Sequence, residues 1–284
     1  GYFGWSPIGN TSVKFTGNYD GQNKKITNLY INRPSEDNIG LFGYKNTGSV
    51  IRNLTLDQAD ISGNIYIGAI AGYQYNSYIY DCTASGSVSA VTGTVGGVLG
   101  YSYYGGLSGC SSSAGITGGD FAGGIMGSNY SGTVVNCSAS GDVTGADNVG
   151  GLLGYVRSSV SDCFATGSIS GNNYVGGLVG RIYDGYSVTG SYSTGDVRGY
   201  SVVGGFAASS EFSAAISDCY STGMVTRTSG SNAVSIGGFA GMNFSAKILR
   251  CYSTGRVTYE GTSNPTDKGF TGFIDTGTGY QMTA

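Results

Sequence analysis

Residues 150–169 read GGLLGYVRSSVSDCFATGSI, and two features of this stretch decide the fold. One is a small-small-apolar-apolar-small signature, GGLLG at 150–154. The other is an alternation that starts at Cys163. Cys163, Ala165, Gly167 and Ile169 are small or apolar, whereas Phe164, Thr166 and Ser168 between them are aromatic or polar. Period two marks a β-strand with one buried face. Helix-period patterns and capping boxes are missing along the chain.

Both features recur. The signature reads IGLFG at 39–43, GAIAG at 68–72, GGVLG at 96–100, GGIMG at 123–127, GGLVG at 176–180, GGFAA at 204–208 and GGFAG at 237–241. A decayed copy, TGFID at 271–275, closes the series. Measured between second positions, from Gly40 to Gly272, the spacings are 29, 28, 27, 27, 26, 28, 33 and 34 residues. The alternation follows each signature by 12 to 14 residues, at Cys82, Cys110, Cys137, Cys163, Ser191, Cys219 and Cys251, with Asn53 in that slot in the first coil. Six residues further on stand Val88, Ile116, Val143, Ile169, Val197, Val225 and Val257.

A period this regular is the signature of a solenoid, in which each unit buries its apolar face against the next. Equivalent residues then stack in columns about 4.8 Å apart. Two interior columns are expected: the cysteines, and an aliphatic and aromatic series running from Leu41 and Ile70 to Phe206, Phe239 and Phe273. The small residues on either side of each apolar pair predict a narrow cross-section. The expected fold is all-β, a right-handed parallel β-helix of about nine coils. Residues 1–38 are read as an N-terminal lead-in and cap, and 39–284 as one continuous repeat domain.

Composition narrows the function. Of 284 residues 53 are glycine and only 3 proline, which excludes collagen. With 39% apolar residues and 23 tyrosines the chain is not a disordered linker. A net charge of −3 offers no basic surface for nucleic acid. No run of about 20 apolar residues suits a membrane helix. The chain has no histidine, which removes the Ser-His-Asp triad, the Cys-His dyad and the usual zinc sites.

On these residues the chain resembles GLUG-motif repeats: the GGLVG-type signature followed about 13 residues later by a CYSTG or CFATG strand. Trp5 and FTGNYDGQNKKITNLYINR at 15–33 are similar to the segment that leads into such arrays. The resemblance spans residues 5 to 275. It implies an exported β-solenoid of bacterial or archaeal surface proteins, such as adhesins of the filamentous-haemagglutinin type or the non-catalytic part of immunoglobulin-A-specific metallopeptidases. It carries over no catalytic residue.

Three groups of residues invite a chemical role. The cysteines Cys82, Cys110, Cys137, Cys163, Cys219 and Cys251 fit no metal-binding spacing, and they are expected to be buried free thiols forming a core ladder. Asp81, Asp162 and Asp218 before the cysteines, and Asp142 and Asp196 after a corner glycine, are candidates for a glycan-cleaving acid pair, but no acid cluster emerges and turn-capping explains them without function. A calcium site through Asp120 and Asp147 lacks the D-x-D-x-D-G loop. The expectation is no catalytic site, no metal and no cofactor.

The aromatics remain. Phe164, Tyr192, Tyr220 and Tyr252 should face outward on four successive coils beside Thr166, Thr194, Thr222 and Thr254, and form the candidate ligand-binding stripe. A second stripe is Tyr44, Tyr73, Tyr101 and Tyr155. Such rows suit sugars or a protein partner, although ladders that merely shield and stiffen the sheet arise whenever a repeat is copied. Sequons such as NLT at 53–55 fit an exported chain, and the missing initiating methionine and signal peptide predict an excerpt or processed form. The expected function is a non-enzymatic extracellular or cell-surface adhesin or stalk module. Its expected partner is a host or cell-surface glycan or protein, with no nucleic acid and no membrane insertion. The alternatives are a carbohydrate-binding or polysaccharide-degrading domain, and a filament subunit that associates end to end with itself.

Overall fold

A computed structural model describes residues 3–183, 185–228, 235–260 and 267–275. These residues form strands and turns without helix. The strands fall into three parallel sheets of 23, 9 and 8 strands, wound as a β-solenoid. One coil illustrates the path. Phe121–Gly123 lies in the third sheet and Met126–Asn129 in the second; the first sheet then takes Thr133–Val135, Ser138–Ala139 and Val143–Thr144. The signature GGIMG therefore spans the corner between the third and second sheets.

Each strand pairs with its counterpart one coil on, as in Val143↔Ile169 and Ile169↔Val197. The alternation at 163–169 holds: Cys163, Ala165, Gly167 and Ile169 are buried, while Thr166 and Ser168 are exposed. It is carried by two short strands, Phe164–Ala165 and Ile169–Ser170, with a break at the glycine corner between them. The corner before the cysteine is a column in left-handed backbone: Asn53, Asp81, Gly109, Asn136, Asp162, Gly190, Asp218 and Arg250, with φ between +49° and +65°. Asn, Asp and Gly are the residues that adopt this conformation at least cost.

The narrow interior has a direct cause. A Cβ on Gly177 would lie 1.9 Å from the Gly205 carbonyl oxygen and 2.9 Å from Ser193 Oγ, which reaches across from the opposite wall. The second glycine of the signature is the residue that lets the two walls meet.

Two register assignments differ from the spacing-based expectation. In the first coil Thr55 pairs with Thr83, so Leu54, buried, stands beside Cys82, and Asn53 belongs to the left-handed corner column. In the last coil Ala240 pairs with Thr271 and Phe239 stacks on Phe270 at 4.9 Å. The final signature is therefore KGFTG at 268–272, and Phe273 lies opposite Met242, 43% exposed, outside the core column. The lead-in follows the solenoid path. Ile8 and Phe15 bridge in parallel to Phe42 and Lys45, and Asn18–Thr27 pairs in parallel with Val50–Gly63. Over this partial coil residues 3–5 cross antiparallel at Gly4↔Ile31, with the Trp5 amide donating to the Tyr30 carbonyl at 2.8 Å.

Candidate functional site

The left-handed corner sets every side chain after it on the same bearing, coil after coil. Phe164, Tyr192, Tyr220 and Tyr252 consequently form a continuous ring ladder. Their centroids are 5.0, 4.8 and 5.1 Å apart and their planes within 6° of parallel. The first three rings are half-buried by their neighbours and Tyr252 is 53% exposed. Thr166, Thr194, Thr222 and Thr254 are exposed beside them. Burial, with the flanking Tyr192 and Tyr252, raises the Tyr220 hydroxyl pKa. Toward the N-terminus the same register continues as Thr83, Ser111 and Ser138, with Thr83 and Ser111 hydroxyls 3.1 Å apart. One column thus changes from hydroxyls to rings at Phe164.

The second stripe lies on the nine-stranded sheet. Tyr44, Tyr73 and Tyr101 stack at 4.5 and 5.3 Å, and Tyr66, just before the third-sheet strand Ile67–Gly68, wedges against Tyr73 and Tyr101. Tyr155 is not their direct continuation: Ser128 pairs with Tyr101 on one side and with Tyr155 on the other. A parallel row two residues on, Tyr75, Tyr103 and Tyr130, stacks at 5.7 and 4.8 Å, and Arg157 sits 4.6 Å over the Tyr130 ring. This row was legible in the Y-x-Y spacing of 73–75 and 101–103.

The cysteines line one column. Five are buried, Cys251 is partly exposed, and all six are free. They act as more than small apolar fillers. Each thiol donates to the carbonyl two residues before it, as in Cys163 to Ser161 at 3.1 Å and Cys219 to Ser217 at 3.1 Å. Ser191, in the same column, does so to Thr189 at 2.8 Å. Burial, with the neighbouring Cys110, pushes the Cys82 thiol up to about 12.

The acids serve the backbone. Asp81, Asp162 and Asp218 occupy the left-handed corner, and Asp218 holds Arg250 through two hydrogen bonds of 2.6 Å. Asp142 Oδ1 accepts from the Ser168 amide and Asp196 Oδ1 from the Met224 amide, each at 2.8 Å, replacing ladder bonds where the glycine corner interrupts the sheet. Asp147 accepts from Asn173 Nδ2 at 2.6 Å. Among the described residues no helix is long and apolar enough to cross a membrane.

The GLUG motif model matches residues 63–89, 145–170 and 171–198, each running from the third-sheet strand region or the preceding corner through one repeat. Three repeats of this chain match the GLUG motif. Relatives extend the comparison over more of it. Halomucin of Haloquadratum walsbyi is 38% identical over 114 residues, 40% of this chain and 1% of that protein. A "Putative Gly-rich membrane protein" of Evansella cellulosilytica is 37% identical over 75 residues, 25% of this chain and 9% of that protein. This chain thus spans under a tenth of either relative's length. A crystal structure titled as a "putative immunoglobulin A1 protease" from Bacteroides ovatus aligns over 95% of this chain and 73% of its own, at 18% identity and a TM-score of 0.49.

Proposed function

We propose that this GLUG array is a non-enzymatic module of an extracellular or cell-surface protein, a stiff adhesin- or stalk-type scaffold that presents a binding face. The observation that carries the reading is the ladder of Phe164, Tyr192, Tyr220 and Tyr252, four rings fixed at 4.8 to 5.1 Å beside a row of exposed threonines. Stacked, half-buried rings lose little side-chain freedom on binding, and adjacent hydroxyls provide donors and acceptors. That combination suits a host or cell-surface glycan or a protein segment laid along the rod. The engagement of Asp142, Asp196 and Asp218 by backbone and arginine supports a scaffold over a hydrolase. The relatives named for a mucin and a membrane protein support a surface setting.

The test is a glycan array and a panel of surface proteins probed with the chain and with Tyr220→Ala and Tyr252→Ala. Binding that falls in both variants while their melting stays within a few degrees of the parent supports the reading. Binding unchanged by both would overturn it, as would turnover of a polysaccharide that is lost on Asp196→Asn.

A further inference from the structure

The stripe on the nine-stranded sheet has a missing rung. Tyr44, Tyr73 and Tyr101 occupy three consecutive coils, Ser128 the fourth and Tyr155 the fifth. Tyr101 stacks on Tyr73 with 17° between planes, so its other face looks along the rod over Ser128. Two rungs separate Tyr101 from Tyr155, about 9.6 Å at the usual strand spacing. That is close to twice the 4.5 and 5.3 Å ring separations within the same stripe. A single ring entering over Ser128 would meet Tyr101 and Tyr155 each at an ordinary stacking distance.

The place is a formed depression. It has a volume of about 400 Å³, with Ser128 as floor and Phe121 and Asn148 of the third sheet on one side. That is toward the small end of ligand sites, which run from roughly 300 to 1,000 Å³. Phe121 packs edge-on against Tyr155 at 5.8 Å and 77°, which holds that wall in place. Asn148 contributes the polar signal: its Oδ1 is buried and has no hydrogen-bond donor among the described residues. An unsatisfied buried acceptor is costly, and a hydroxyl arriving in the depression would relieve it after a small turn of the amide.

The ligand must therefore be one ring wide, apolar on its faces and rich in hydroxyl donors at its edge. Arg181, at one end, is already held by Glu211 through bonds of 2.7 and 2.9 Å, so its charge is paired rather than offered to an anion. The geometry points to a neutral hexopyranose residue, terminal or within a glycan, inserted between Tyr101 and Tyr155 and hydrogen-bonded to Asn148. This site lies on a different sheet from the Phe164–Tyr252 ladder and stands whether or not that ladder binds.

The experiment titrates the purified chain with methyl β-galactoside, methyl β-glucoside and methyl α-mannoside, followed by protein NMR, with N-acetyltyrosine amide as an aromatic competitor. At least one glycoside is expected to bind with a dissociation constant on the order of 1 mM. Ser128→Tyr, which restores the ladder, should abolish binding while preserving or raising the melting temperature. Asn148→Gly, which keeps the left-handed backbone at φ +47° and removes the acceptor, should weaken it about tenfold. If Ser128→Tyr does not fold, Asn148→Gly alone decides. Tyr220→Ala with Tyr252→Ala should leave this binding unchanged, which separates it from the ladder. No glycoside binding, binding indifferent to Asn148→Gly, or binding of N-acetyltyrosine amide in place of all three sugars would each overturn the proposal.

Discussion

The Cys137 amide donates to the Sγ of Cys163, one coil further on, at 3.3 Å. The Cys163 amide in turn donates to Ser191 Oγ at 3.1 Å. At this corner the backbone cannot reach the next backbone, so a side chain completes the ladder. The column therefore asks for an atom that both accepts an amide and donates to the carbonyl two residues earlier. Sulfur and oxygen both qualify, and Ser191 is the built-in control. Cys163→Ser is expected to cost under about 1 kcal/mol, because the serine repeats the arrangement at 191. Cys163→Ala should cost about 2–3 kcal/mol, since it leaves a cavity and strands the Cys137 amide. Urea unfolding of the two variants decides; an alanine no worse than the serine would reduce the column to plain packing.

Lys45 gives a pH dependence with a definite sign. Fully buried, it donates from Nζ to Gln74 Oε1 at 3.2 Å and to the Tyr78 carbonyl at 2.8 Å. Burial brings its pKa down to about 7. The unfolded chain, with a lysine pKa near 10.4, then binds more protons than the folded one above pH 7, so stability rises with pH in that range. Below pH 7 both states hold the proton and the dependence levels off. Between pH 7 and about 8.5, before unfolded thiols ionise, the slope should approach roughly 1.4 kcal/mol per pH unit. Denaturation midpoints across this window should flatten in Lys45→Met. An unaltered slope would assign the effect elsewhere.

Cys82, in the thiol column, acts in the opposite direction at higher pH. Burial holds the Cys82 thiol near 12, against about 8.5 in an unfolded chain. A raised folded pKa gives stability that is complete below the unfolded value and is lost as pH climbs toward the folded one. Cys82 should remove up to about 1.4 kcal/mol per unit between pH 8.5 and 12. Cys82→Ser should therefore unfold less steeply in alkali than the parent, measured by circular dichroism along a pH titration. Equal alkaline midpoints would show that Cys82 does not contribute.

The architecture was legible because every coil repeats the same physical demands. Gly177 and its equivalents must let two walls meet, and Cys163 and its equivalents must close a corner. Register was less legible where the copies differ. Asn53 resembles a column residue by spacing alone, yet its place is the left-handed corner, and hydrophobic Leu54 beside it fills the column. In the last coil the spacing favoured Phe273, whereas stacking on Phe239 selects Phe270. The aromatic rows could be read from tyrosine spacing, but the missing rung at Ser128 could not. It emerges only when the coils are aligned strand by strand, which also brings Asn148 and Phe121 from the neighbouring sheet to its side.

Arg250 is the misfit of the corner column, and two small energies compete there. It holds φ +50° at a position where the other coils use Asn, Asp or Gly. An L side chain without a short polar group loses roughly 1–2 kcal/mol in this region, and asparagine recovers part of that. Against this, Arg250 pairs with Asp218 through two bonds of 2.6 Å, with side chains 68% and 49% exposed. Exposed pairs contribute only about 0.2–1 kcal/mol and weaken in salt. Backbone relief should win: Arg250→Asn is expected to stabilise the chain by about 0.5 kcal/mol at low salt. The gain should grow toward about 1 kcal/mol in roughly 1 M NaCl, where the Debye length is near 3 Å and the pair is screened. Denaturant midpoints at both salt concentrations test the sign and its trend. A variant less stable than the parent in high salt would mean that the arginine is at ease in the left-handed corner, and that the corner's preference for Asn, Asp and Gly has some other origin.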